Sequence, residues 1–185
     1  MFVSPRRRGG RAAAVFGPLW QGYCTAVSED PDESRHPLIV RRDTSASRRQ
    51  VWDGIADGWT YSQWVVGNSR MRAVDPNWPQ PGSVIHHSIG VWPLVINDST
   101  RVEICVPMNK LVLVAKGRPL GAARITLRLS DLDDGGCHIE MSEVPLSPPL
   151  SWLPRAAALG AVVPRNRETT WRLAVIAERR SSDQD

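Results

Sequence analysis

Residues 124–143, RITLRLSDLDDGGCHIEMSE, decide the fold. Ile125, Leu127 and Leu129 alternate with Arg124, Thr126 and Arg128. A period of two places the apolar set on one face of a strand and the polar set on the other. Asp133-Asp134-Gly135-Gly136 follows, a run that supplies the positive φ angles a tight hairpin needs. Then Cys137, Ile139 and Met141 resume the alternation. Two antiparallel strands result, with one apolar face that must be covered.

Working outward, strand signals repeat on the N-terminal side. Leu38–Asp43, Ser69–Val74, Ser83–Trp92, Asp98–Val106 and Lys110–Lys116 are all strand candidates, and Pro93 breaks the fourth signal from the third. The loop Asp75–Gly82 between two of them is dense in turn formers. After the first strand, Thr44 or Ser45 offers an N-cap, and Val51, Trp52 and Ile55 have helical spacing over Ala46–Ile55. Trp59, Trp64 and Val65 form a second short helix ended by Gly67. On the C-terminal side, Pro145–Pro154 carries four prolines and must be irregular. A last helix is expected over about residues 165–179, with Leu173, Ile176 and Ala177 facing a sheet. Trp171, Ala174 and Val175 widen that stripe, so the helix should be largely covered. The expected class is α+β: a curved antiparallel sheet of about seven strands on a long C-terminal helix, with two short helices after the first strand.

The chain has 185 residues, enough for one domain over about residues 37–180 and a short tail at 181–185. Residues 1–36 differ in kind: an Arg cluster at 6–8, a weak apolar patch at 12–20, then an acidic stretch at 29–33. They are expected to be a disordered or mis-assigned extension, with translation starting at Val27 as one explanation. The formal charge is +4, and 21 of the 23 basic residues are Arg. They are scattered, without the basic stripe and stacking aromatics that nucleic-acid binding uses, so no nucleic-acid partner is expected. Cys24, Cys105 and Cys137 form no CxxC pair, and His36, His86, His87 and His138 form no HxH or HExxH. A metal site is therefore not expected, nor a cofactor. The longest apolar run is Ala156–Val163, short of the roughly 20 residues a spanning helix needs. A cytoplasmic protein with free thiols and no integral membrane segment is the expectation. No GxSxG, GxGxxG or P-loop occurs.

The element order resembles the helix-grip fold of the START and Bet v 1-like superfamily, also called SRPBCC or polyketide cyclase/dehydrase-like proteins. The likeness spans about residues 36–180. It rests on Val51-Trp52, the segment Asp57–Gly67, Pro81-Gly82-Ser83, the strand His86–Pro93, and Asn166-Arg167-Glu168-Thr169 with Leu173. The chain looks most like small actinobacterial members. The resemblance implies a deep cavity between sheet and helix that takes lipids, sterols, polyketides, plant hormones or quinones. It implies no universal catalytic residue, so the catalytic set is left unknown.

By strand parity, His87 shares an apolar face with Ile85, Ile89 and Val91, and Glu143 shares one with Ile139 and Met141. The cavity candidates are Tyr61, Trp64, His87, Ile89, Trp92, Val102, Ile104, Leu127, Met141 and Glu143. His87, Glu143 and Tyr61 would be polar fixtures of an apolar pocket. Each also fits a plainer role: His87 as a hydrogen-bonded core residue, Glu143 as the partner of a rim Arg, Tyr61, Trp64 and Trp92 as packing. Three functions remain open. The first is binding of a hydrophobic small molecule of lipid, polyketide or quinone type. The second is a polyketide cyclase/dehydrase-like enzyme using His87, Glu143 or Tyr61. The third is a protein–protein module anchored by exposed Trp78 and Trp152.

Overall fold

The computed structural model describes residues 37–117, 121–152 and 154–182. Strand β1 (Leu38–Thr44) leads into helix α1 (Arg48–Ala56), a 3-10 turn (Gly58–Thr60) and helix α2 (Tyr61–Trp64). Strands β2 (Asn68–Val74), β3 (Val84–Val91), β4 (Leu94–Val106), β5 (Lys110–Lys116), β6 (Ala122–Asp131) and β7 (Cys137–Pro145) follow. Helix α3 (Arg155–Ser182) comes last. The seven strands form one sheet in the order β1-β7-β6-β5-β4-β3-β2, with every neighbouring pair antiparallel. The expected α+β architecture is the observed one.

The alternating residues set the inner face. Ile125, Leu127 and Leu129 on β6 and Ile139 and Met141 on β7 are buried, beside Leu111 and Leu113 on β5. The C-terminal half of α3 covers them with Leu173, Ala174 and Ala177, and α1 adds Val51, Trp52 and Ile55 to the same cluster. Gly58 allows the 3-10 turn to sit close on β2, because a methyl group there would lie 2.7 Å from Val74 Cγ1. Gly135 takes φ +86° in the β6–β7 turn, the conformation expected of the Asp-Asp-Gly-Gly run. Cys105 and Cys137 are buried thiols, and residues 1–36, with Cys24 and the proposed Val27 start, lie outside the described residues.

Several details depart from the sequence expectation. Helix α3 begins at Arg155, ten residues before the expected start, and carries Pro164 inside it. Pro164 cannot bond to the carbonyl of Gly160, but both residues are exposed, so water can satisfy that oxygen. The helix is less covered than expected: Trp171 is half exposed. The N-cap of α1 is Ser47, in a reciprocal capping box with Gln50, whereas Thr44 donates its hydroxyl to Glu178 at 2.6 Å. Strand β4 starts at Leu94, because Trp92-Pro93 forms only the two-residue tip of a hairpin in which Val91 pairs with Leu94. A bulge between Val102 and Ile104 shifts the β4–β5 register. It turns Cys105 inward in place of Ile104, breaking the assumed alternation Thr100, Val102, Ile104, Val106.

Candidate functional site

One end of the sheet is left open. There β1 and β4 begin, β3, β5 and β7 end, and the N-terminal half of α3 crosses above them. The inner positions at this end are small: Ala115 on β5 pairs with Ala123 on β6, and Ala161 faces them from α3. One or two rungs deeper, Leu113 and Ile125, then Leu111 and Leu127, fill the space with branched side chains. Truncated side chains opposite a helix held at fixed distance leave a void. The result is a cavity of about 340 Å³. That lies at the small end of the range of ligand sites, about 300–1,000 Å³. Its walls are mostly apolar, and exposed Lys116 and Ala161 stand at its rim.

Two polar groups interrupt the apolar lining, on opposite sides. The first belongs to α2, β3 and β4. Thr100, completely buried, lies 3.2 Å from Tyr61 Oη and 3.0 Å from His87 Nε2. The Tyr61 ring also stacks edge-on with Trp64 at 5.1 Å and lies tilted to His87 at 5.5 Å. Burial pushes the Tyr61 phenol up to about 12, so it stays protonated. Burial lowers the His87 pKa, against the opposing pull of Asp98, so the imidazole is neutral at pH 7. A neutral ring has one donor and one acceptor nitrogen, and its Nδ1 has no partner among the described residues.

The second group joins β7 to α3. Asn166 Nδ2 donates to Glu143 Oε2 at 2.8 Å, and Arg165 Nη2 donates to the same oxygen. Arg165 also reaches Asn166 Oδ1 at 3.0 Å. Glu143 and Asn166 are buried, while the Arg165 side chain is 40% exposed at the rim. The carboxylate is thus already engaged by this chain's own donors.

Three cavity residues carry buried polar atoms without a hydrogen-bond partner among the described residues: Trp64 Nε1, both amide atoms of Asn68, and His87 Nδ1. Such atoms are rare in folded proteins because each forfeits its hydration.

Among the expected site residues, Tyr61, Trp64, His87, Ile89, Met141 and Glu143 line this cavity. Four do not. Trp92 is 85% exposed at the β3–β4 tip, where the strands have run past the cover. Ile104 is turned out of the inner face by the β4 bulge. Val102 and Leu127 point inward but sit deeper, in the filled half of the core under α1 and α3. The expected anchor Trp78 is half buried, its Nε1 donating to Ile55 O at 3.2 Å, whereas Trp152 is 77% exposed as expected. Sequence reasoning missed Asn68, Thr100, Arg165 and Asn166 as site residues. The local signal for Thr100 and Asn166 is a polar residue at an inward position.

No family model matches the chain, and no curated protein matches it. Solved structures do. A protein of unknown function from Staphylococcus aureus superposes with a TM-score of 0.62 at 12% identity, covering 81% of this chain and 96% of its own. The Zhui aromatase/cyclase from Streptomyces sp. R1128 gives 0.59 at 14% identity, covering 79% and 95%. Ara h 8.0201 gives 0.58 at 10% identity, covering 77% and 98%. The fold is the helix grip of Bet v 1-like proteins. In this helix-grip chain the grip holds a small cavity at its open end, with the filled core beneath it. Among the described residues there is no cluster of His, Cys, Asp or Glu suited to a metal ion, and no helix is long and apolar enough to cross a membrane.

Proposed function

We propose that the protein binds an apolar small molecule carrying one polar end. The observation that supports this most is the set of unpartnered polar atoms on Trp64, Asn68 and His87 around an otherwise apolar cavity. Trp64 offers a donor, Asn68 a donor and an acceptor, and neutral His87 one of either. An oxygen function on the ligand, such as a hydroxyl or a ketone, would complete them while its hydrocarbon body fills the space along Ala115, Ala123 and Ile125. Lipid, polyketide and quinone molecules of modest size all fit that description. The test is a thermal-shift and fluorescence titration with such compounds, run on the wild type and on Ala123→Phe. The variant fills the cavity, so it should fold and fail to bind. Equal binding by both would remove the cavity from the reading.

A second reading, a cyclase- or dehydrase-type enzyme, draws on His87. His87 lines the cavity as a neutral imidazole, the form that can take a proton as a general base. The fold likeness to the Zhui aromatase/cyclase makes polyketide-type substrates the ones to try. Turnover that disappears in His87→Gln while binding persists would favour catalysis over carriage.

A further inference from the structure

The most exposed apolar surface among the described residues is the tip of the β3–β4 hairpin. Val91, Trp92 and Leu94 are 81%, 85% and 80% exposed, and Val95 and Ile96 continue the patch. From Ile89 to Ile96 the chain holds no charged side chain. The tip projects: β4 pairs with β5 only from Thr100 onward, so residues 94–99 pair with β3 alone. β2 runs beside β3 as far as the Asn68–Ile89 pair, so Gly90–Val95 alone forms a two-stranded tip, two rungs or roughly 7 Å beyond the three-stranded part. A soluble surface normally avoids so large a contiguous apolar feature.

Its position matters as much as its composition. Strand direction places the tip at the open end of the sheet, together with the cavity rim at Lys116 and Ala161. Exposed Trp152, on the β7–α3 connection, lies at that end too. Exposed cations flank it. Arg70 and Lys116 stand near the open end, where Asp98 and Glu143 are buried and Glu103 is paired with Arg124 at 2.7 Å. At the opposite end the aspartates are met by basic partners: Arg48 on Asp131 and Arg180 on Asp57.

We infer that the open end docks on an anionic lipid bilayer, with Val91–Leu94 inserted among the headgroups and Arg70 and Lys116 against the phosphates. A bilayer fits better than a protein partner because the apolar feature is a narrow projecting wedge rather than a flat face. Trp at the apex of aliphatic residues suits the interfacial layer, where an apolar ring and a polar N–H are both accommodated. Flanking cations add attraction to anionic lipid that salt screens. Docking this way brings the cavity rim to the membrane surface. The inference stands on the exposed surface and does not require the cavity to be occupied.

The test is flotation of the full chain with vesicles of phosphatidylcholine, alone and mixed with phosphatidylglycerol. Binding should be strong only to the mixed vesicles and should fall as salt rises. Trp92→Ser combined with Leu94→Ser alters exposed side chains only, and it should reduce the bound fraction by roughly tenfold. Arg70→Glu combined with Lys116→Glu should abolish the preference for anionic vesicles. No binding of the wild type to mixed vesicles would overturn the inference, as would equal binding by the tip variant. Concentration-dependent dimerisation in sedimentation velocity that the tip variant abolishes would also overturn it, assigning the patch to a second copy of the chain.

Discussion

Asn166 on α3 donates its side-chain amide to Glu143 on β7 at 2.8 Å, and both residues are buried. This contact ties the helix to the sheet beside the cavity, and Arg165 reinforces it from the rim. Asn166→Ala should therefore destabilise the protein by about 1–3 kcal/mol, because a buried carboxylate loses a donor. Glu143→Gln should cost less, since a carbonyl oxygen can still accept from Asn166. Urea denaturation midpoints of the two variants check the order.

Thr100 joins two cavity residues through one hydroxyl. Thr100→Val keeps the shape and leaves Tyr61 Oη and His87 Nε2 without that partner. A loss of about 1–3 kcal/mol is expected, measured by the same unfolding curves. Thr126→Val makes the control: Thr126 is also buried, but its hydroxyl has no partner among the described residues. That substitution should be neutral or stabilising.

Trp64→Phe removes the indole N–H that lacks a partner and retains most of the ring against Tyr61. Stability of the empty protein should fall only by the lost packing, about 1 kcal/mol. Affinity for a ligand accepting that hydrogen bond should fall by roughly tenfold, as a missing hydrogen bond does. Isothermal titration of wild type and variant separates the two effects.

Stability should decline on both sides of neutrality. His87 has a lowered pKa in the folded chain, so the unfolded chain binds more protons in acid. Stability is then lost as pH falls through about 6.5, the ordinary His value, and His87→Gln should flatten that limb. Burial pushes the Cys137 thiol from 9.0 to about 11. The unfolded chain loses that proton first, so stability is lost as pH rises from 9.0 to about 11. Cys137→Ala should remove the part of that slope that begins at pH 9.0, leaving the loss between 10.0 and about 12 that the buried Tyr61 phenol contributes by the same sign. Denaturation midpoints across pH check both limbs.

The sheet and its cover were legible because their signals are local. Alternation on β6 and β7, the Asp133–Gly136 turn and the apolar stripe around Leu173 each specify an element within a few residues. What failed depended on backbone geometry that parity cannot see. A single bulge in β4 moved Ile104 off the inner face, and a helix that continues through Pro164 hid its first ten residues. The site was half legible for the same reason. Parity placed His87, Met141 and Glu143 on the inner face, but parity gives no depth, so Val102 and Leu127 could not be told from cavity wall. Depth came from side-chain size: the cavity lies where Ala115 and Ala123 pair, a signal that appears only once β5 and β6 are set in register.

The most direct measurement is native mass spectrometry of protein purified without organic solvent, followed by extraction and identification of anything bound. The expected result is a reproducible mass increment from an apolar molecule with an oxygen function, absent from Ala123→Phe. Protein that stays empty, and takes up nothing when lipids, quinones and polyketides are supplied, would contradict the proposed binding function.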